Sequence, residues 1–332
     1  MNLQHRIDLL VELGEYISSK PEGWQAACER AGRENGWFIP EFIDHATKGI
    51  KEQFLRREHL EGWAHSVPMP AERPEPLMVG IVMAGNIPLV GFHDWLTVFI
   101  TGHKALVKPS SKDQVLLKHL VETLGDWEPS LRTQTAFAEM LKGCDAYLAT
   151  GSNNSARYFD YYFSKYPHII RRNRTSAAIL TGEESPDELR ALADDVHLYF
   201  GLGCRNVTSL FVPDGYDFVP LLDAFRVYGW FADHHKFRNN YDYNLALHIL
   251  NKKYYMTNGS LLLVEDPSLF SPISQLNYTF YSPGTDPAAG LKGSADLQCL
   301  VGRGYLPFGT AQQPSLTDYA DGENTLQFLA NL

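Results

Sequence analysis

The chain has 332 residues, of which 44% are apolar and 20% charged, and its formal net charge is −10. That length fits one large or two medium domains with a sizeable core. Negative charge without a long basic run argues against nucleic acid or an anionic membrane surface as the main partner. Four cysteines, Cys28, Cys144, Cys204 and Cys299, stand far apart with no CxxC pair. Neither zinc spacing nor a disulfide framework is present, and no metal centre is expected. The N-terminus leads into an amphipathic helix bearing Asp8, Glu12 and Glu15, which does not read as a signal peptide. No apolar run approaches the length of a membrane span. A cytoplasmic protein in a reducing compartment is the expectation.

From Leu3 to about His65 the apolar residues recur at helical spacing: Leu9, Leu10, Leu13 and Ile17, then Phe38, Phe42, Ile43, Ile50 and Phe54. A proline-rich stretch from Trp63 to Pro76 reads as a linker. From Leu77 the periodicity changes. Leu77 to Ala84 is a short apolar strand that breaks at Gly85-Asn86-Ile87-Pro88, where Pro88 suits a first helical position. A helix is expected over 89–101 and a second strand over 103–108, which together make a βαβ unit with parallel strands. Ligands bind beyond the carboxyl ends of such strands. Those ends carry Asn86 and Lys108-Pro109-Ser110-Ser111-Lys112, and no GxGxxG is present.

Further along, a helix is expected near 112–124 and a strand over 145–149. That strand ends in Thr150-Gly151-Ser152-Asn153-Asn154-Ser155. Glycine and hydroxyls at a strand-to-helix turn can cradle a phosphate on main-chain N–H groups, or simply cap the helix. Strands near 168–172 and 176–181 follow, then a helix over 187–200. It delivers Gly201-Leu202-Gly203-Cys204-Arg205-Asn206, ahead of a strand at 207–212. A helix over 218–231 and strands at 260–264, 277–281 and 296–301 complete an alternating α/β chain, closed by a short helix near 321–332.

Cys204 is the candidate nucleophile. A thiolate is the strongest side-chain nucleophile near neutral pH. The glycines let substrate approach, and Arg205 places positive charge beside it. A free cysteine is also a common small buried hydrophobe. His93, His103 and His197 are candidate activating bases that also read as packing histidines. The adjacent His234-His235 reads as solvated surface. Aromatics near 225–237 and Tyr254-Tyr255 read as an apolar tunnel or as core.

Four separated motifs carry a resemblance: Met83-Ala84-Gly85-Asn86-Ile87-Pro88, Gly102 to Asp113, Gly201 to Val207, and Pro307-Phe308-Gly309 with Asp318 to Gly322. In this order they resemble the aldehyde dehydrogenase superfamily, and more closely the acyl-CoA reductase family of the bacterial bioluminescence type, over roughly Leu77 to the end. The resemblance implies an α/β fold with two α/β domains of mostly parallel sheets, an interdomain active-site cleft and a helical N-terminal segment. The expected divisions are a helical segment at 1–70, a nicotinamide-binding domain at 71–185, a catalytic domain at 186–310 and a tail at 311–332. Cys204 would form the acyl-enzyme, with its own N–H and the Asn86 side chain as oxyanion hole. Lys108 would contact the cofactor ribose or its phosphate, Gly151 and Ser152 would lie by the pyrophosphate, and Ser110, Ser111, Ala84 and Gly85 would complete the cofactor site.

Three departures sharpen that reading. Aldehyde-oxidising relatives carry a general-base glutamate, whereas the matching stretch here, Arg171-Arg172-Asn173-Arg174-Thr175-Ser176, has no carboxylate. That favours reduction of a thioester over oxidation of an aldehyde. NAD-preferring relatives often place an acid three residues after the ribose lysine. Ser111 and Lys112 stand there instead and tolerate a 2′-phosphate, so NADPH is the expected cofactor. The chain is also shorter than most relatives, and the resemblance carries no oligomerisation hairpin over to it.

The expected activity is NADPH-dependent reduction of an acyl-CoA, a fatty one first, to the aldehyde. The expected partners are the acyl thioester and an acyl-protein synthetase or acyltransferase, with homo-oligomerisation open. Aldehyde dehydrogenase, acyl phosphate reductase, a non-catalytic acyl-carrying subunit and a plain NADP-binding module are the alternatives.

Overall fold

The computed structural model describes residues 1–282, 284–291 and 293–332. The chain folds into two compact units, Met1–Asn173 with Pro314–Leu332, and Arg174–Gln313. Each is an α/β layer structure in which helices cover a mostly parallel sheet.

The first unit begins with helices α1 (Leu3–Ser19), α2 (Glu22–Glu34), α3 (Pro40–Gly49) and α4 (Arg57–His65). Their apolar stripe, from Leu9 to Phe54, is buried at every position named above. It packs in one core with the strands that follow, so the helices are part of this unit and not a separate appendage. The sheet contains β1 (Met78–Val82), β2 (Lys104–Lys108), β3 (Thr135–Phe137), β4 (Ala146–Thr150) and β5 (His168–Arg171). Its order is β3-β2-β1-β4-β5, parallel throughout. Helix α5 (Phe92–Ile100) is apolar nearly all round and is buried all along its length, except at His93, as such a helix must be. It starts at Phe92 and not at Pro88. Leu89 has φ 57°, a left-handed backbone that a helix cannot contain, and its N–H donates to Asp113 Oδ2 at 2.8 Å. Helices α6 (Leu116–Trp127) and α7 (Asn153–Phe163) follow β2 and β4.

The segment Pro314–Leu332 returns to this first unit. Leu316, Leu326 and Leu329 join its core. The buried Arg171 guanidinium donates to both Asp94 oxygens at 2.6 and 2.5 Å and to Thr325 Oγ1 at 2.7 Å. Burial of such a pair is offset because both carboxylate oxygens and two of the guanidinium nitrogens are hydrogen-bonded.

The second unit holds β6 (Thr175–Ile179), α8 (Pro186–His197), β7 (Val207–Pro213), α9 (Val219–Ala224), α10 (His235–Leu250), β8 (Met256–Thr257), β9 (Leu262–Glu265), β10 (Gln275–Tyr281) and β11 (Leu297–Gly302). The sheet order is β11-β6-β7-β10-β9-β8, with β8 and β9 antiparallel and the remaining pairs parallel. The expected division near 185 would put β6 with the cofactor sheet. It pairs instead with β7 and β11, and the chain divides at Asn173/Arg174. The helix expected over 218–231 stops at Ala224 and continues as a tighter 3₁₀ turn from Phe225 to Asp233. Helix α8 opens with a capping box, Ser185 and Glu188, and ends at His197, short of the expected Phe200.

Candidate active site

In the first unit the loops singled out in the sequence meet at one sheet edge. Ala84, Gly85 and Asn86 follow β1; Lys108 ends β2 and Ser110 and Ser111 follow it; Gly151 and Ser152 follow β4. Parallel pairing of β2, β1 and β4 brings all three carboxyl ends to the same side, where ligands bind in open α/β sheets. Gly85 is buried, and a Cβ there would lie 2.5 Å from the Ser110 side chain, so glycine is required for the two loops to touch. Asp113 ties them further by accepting the Leu89 N–H, three residues past Asn86. Its other oxygen, Oδ1, is buried without a hydrogen-bond partner, and burial pushes this carboxyl up to about 6. Lys108 and Ser111 are exposed at the same edge. The Ser152 hydroxyl caps α7 by accepting the Ser155 N–H at 3.3 Å. Anion-binding capacity in that turn therefore rests with the main-chain N–H groups of the first helical turn.

In the second unit, Cys204 sits in a turn built from strained backbone. After α8, Tyr199 and Phe200 both have φ 57° and Gly201 has φ 74°. Left-handed backbone costs a bulky residue roughly 1–2 kcal/mol, and here burial holds it in place. Tyr199 and Phe200 are 5% and 1% exposed, and the Phe200 ring packs against Phe231 and His234. Asn206 closes the turn. Its fully buried side chain accepts the Gly203 N–H at 2.7 Å and donates to the carbonyls of Asp195 at 3.1 Å, Val196 at 3.4 Å and Leu198 at 2.9 Å. On the other side of Cys204, the Ser176 hydroxyl donates to the Cys204 carbonyl at 3.1 Å. Cys204 is a half-buried thiol outside any disulfide, held between these two clamps.

A third tie reaches the Pro307–Gln312 loop. Asp195 is fully buried, and its two oxygens accept the N–H groups of Gly309 at 2.7 Å and Ala311 at 2.9 Å. Burial outweighs these bonds and raises its carboxyl to about 6. Arg205 reaches the same loop, donating from Nε to the Ala311 carbonyl at 3.0 Å. Asn206, Ser176 and Asp195 escaped the sequence reading. An asparagine after a turn, a serine in an apolar strand and an aspartate late in a helix carry no local signal of such roles.

The candidate bases are packed residues. His197 bonds the Ala193 carbonyl at 2.8 Å, stacks on Tyr228 at 4.7 Å, and is driven by burial down to about 4. His103 accepts the Leu77 N–H and meets the Leu329 carbonyl, and burial lowers it to about 4. His93 meets the Leu316 carbonyl at 3.0 Å amid Phe54, Trp63 and Tyr319, and burial lowers its pKa also. His234 is not solvated surface: it caps α10 through Nδ1 and stacks on Phe200. Of the aromatics expected to line a tunnel, Phe225, Phe231 and Phe237 are buried in packing, and Tyr254 is exposed. A cleft of about 360 Å³ at the opposite, carboxyl end of β6 and β7, lined by Glu184, Asp214, Tyr216 and Asp217, holds no part of the Cys204 turn. Among the described residues, no cluster of His, Cys, Asp or Glu could hold a metal ion, and no helix is long and apolar enough to cross a membrane.

No family model matches the sequence, and no curated protein does. Solved structures match the fold. The aldehyde dehydrogenase of Mycobacterium tuberculosis complexed with NAD+ superposes with a TM-score of 0.62 at 14% identity, covering 87% of this chain and 70% of that one. The aldehyde dehydrogenase KauB of Pseudomonas aeruginosa gives 0.61 at 12% identity, over 90% and 76%. The indole-3-acetaldehyde dehydrogenase AldA of P. syringae, in complex with NAD+, gives 0.63 at 11%, over 85% and 68%. At such identities the likeness establishes the architecture: this chain has an aldehyde-dehydrogenase-like α/β fold.

Proposed function

We propose that the chain is an oxidoreductase of the aldehyde dehydrogenase superfamily that reduces an acyl thioester, fatty acyl-CoA first, to an aldehyde through a Cys204 acyl-enzyme. The observation that carries the reading is the Cys204 turn. A half-exposed thiol is braced by Asn206 and Ser176 at the end of a strained, buried segment. Strain of this kind is kept where the surrounding structure over-determines it, and such places concentrate at functional sites.

The edge of the first sheet fits a nicotinamide dinucleotide by its donor set: Lys108 as cation, Ser111 as exposed hydroxyl, and the main-chain N–H groups that begin α7, with Ala84, Gly85, Ser110, Gly151 and Ser152 shaping the loops. Ser111 and Lys112, where a carboxylate would repel a 2′-phosphate, support NADPH. The bound cofactor would supply the hydride. The chain's own work starts with Cys204, whose thiolate attacks the thioester carbonyl. The Cys204 N–H and the Asn86 amide are the donors we assign to the resulting oxyanion. Collapse expels the thiol and leaves the acyl group on sulfur, and aldehyde release returns Cys204 to the thiolate. The absence of a carboxylate from Arg171 to Ser176 leaves no base there to activate water against the acyl-enzyme, which favours reduction.

Intact-mass spectrometry after mixing with a panel of acyl-CoAs, without cofactor, tests this. One acyl adduct on the native chain and none on Cys204→Ser is expected. No adduct with any chain length, together with undiminished NADPH oxidation by Cys204→Ser, would refute it. The fold neighbours favour a second reading, aldehyde oxidation, which NADP+-dependent acid formation from aldehyde would establish. An acyl-protein synthetase or acyltransferase is the partner class this chemistry fits.

A further inference from the structure

The hydrogen bonds of Ser176 have one consistent arrangement. Ser176 is fully buried in β6, within a run that is otherwise largely apolar. A hydroxyl there is costly unless it is bonded. Three groups surround its Oγ: the Cys204 carbonyl at 3.1 Å, the Cys299 N–H at 3.2 Å and the Cys299 thiol at 3.0 Å. A serine hydroxyl has one proton and two lone pairs. The Cys204 carbonyl can only accept, and the Cys299 main-chain nitrogen can only donate. The Ser176 proton therefore points to Cys204, and both lone pairs are taken by the N–H and S–H of Cys299.

This convergence has a backbone cause. The pairing of β6 with β11 shifts register between Leu297 and Leu300, so Cys299 lies in the irregularity. A bulge re-aims a residue away from the ladder. Here the Cys299 N–H and S–H reach one side-chain oxygen. The Cys299 sulfur and the Cys204 carbonyl oxygen are consequently no more than about 6 Å apart, each being a hydrogen-bond length from Ser176 Oγ.

We infer that Ser176 and Cys299 are positioning residues for Cys204. Cys299, as a protonated donor, turns the Ser176 hydroxyl toward the Cys204 carbonyl, while Asn206 fixes the Gly203 N–H on the other side. Two clamps set the backbone of one residue and so the direction in which its sulfur points. This inference rests on the reading of Cys204 as nucleophile.

The test uses the full chain with Ser176→Ala, Cys299→Ala and Cys299→Ser. Two quantities are read: the rate at which iodoacetamide alkylates Cys204, followed by peptide mapping, and the kcat of acyl-CoA-driven NADPH oxidation with the cofactor KM. Ser176→Ala is expected to slow Cys204 alkylation at least fivefold and to lower kcat about tenfold, with cofactor KM unchanged, as small misplacements of reacting groups do. Cys299→Ser, which keeps a donor, should stay within about twofold of the native chain, while Cys299→Ala loses more. Ser176→Ala within about twofold on both readings overturns the role, as does equal impairment of Cys299→Ser and Cys299→Ala. The Cys299 pair decides alone if Ser176→Ala does not fold. Should native Cys204 react no faster than the buried Cys144, the nucleophile reading fails and this role with it. A reactive Cys204 that ignores Ser176→Ala removes only the positioning role.

Discussion

Asn206→Ala probes the brace of the Cys204 turn directly. The amide is fully buried and makes contacts at 2.7, 2.9, 3.1 and 3.4 Å, of which the first two are strong. Truncation removes these bonds, leaving the buried Gly203 N–H without its acceptor and the part-buried Leu198 carbonyl without its donor. A buried group left unsatisfied costs about 1–3 kcal/mol and a part-buried one less, so the expected loss is about 2–4 kcal/mol. Asn206→Asp keeps an acceptor for Gly203 but sets a carboxylate oxygen against the carbonyls of Asp195, Val196 and Leu198, and should lose at least as much. The assay is guanidinium unfolding followed by tryptophan fluorescence, in which Trp230 reports the second unit. Iodoacetamide labelling of Cys204 should slow in the same variants. A loss below about 1 kcal/mol, with labelling unchanged, would show that the turn holds without the amide.

The buried carboxylate Asp195 titrates near 6, above its ordinary 3.8. The folded chain thus holds this proton more tightly than the unfolded one, and the group's contribution is most favourable below 3.8 and declines as pH rises to about 6. About two pH units correspond to about 3 kcal/mol. The stability of the native chain minus that of Asp195→Asn should fall by that amount between pH 4 and 7, and a flat difference would contradict the assignment. Arg171→Ala leaves the Asp94 carboxylate buried and unpaired, and should cost about 3–5 kcal/mol in denaturant unfolding; a loss under 1 kcal/mol would mean the pair is hydrated. Asn86→Ala should lower kcat on the order of a hundredfold, and a change below about threefold removes Asn86 from the oxyanion site. NADPH should exceed NADH in kcat/KM; the reverse order would tell against the reading of Ser111 and Lys112.

Much of the architecture was legible because apolar periodicity is a local property. The strand before Gly85, the strand ending in Lys108 and the strand ending at Thr150 all stand where their runs of Val, Ile, Leu and Ala put them. So does the burial of Leu10, Leu13 and Ile43. What escaped depends on partners far along the chain. Leu89, Tyr199 and Phe200 adopt left-handed backbone that their own sterics oppose, so no propensity announces it. The three-residue β3 and the two-residue β8 are too short to carry a period. Ser176 reads as strand filler until β11 brings Cys299 to it, and Asp195 reads as helix surface until Gly309 and Ala311 arrive. The alternation of strand and helix gave the α/β class, whereas the division at Asn173 follows from which strands β6 pairs with.

The return of Pro314–Leu332 to the first unit bears on how the protein is made. In sequence, the second unit, Arg174–Gln313, is one long insert within the first. On the ribosome, the part of the first unit before the insert emerges first, yet lacks Leu316, Leu326, Leu329 and the Thr325 partner of Arg171 until the insert has been made. It must wait, incomplete, while the insert is synthesised. A stop codon after Gln313 would spare every strand of both sheets and still leave the earlier-made half without its closing piece.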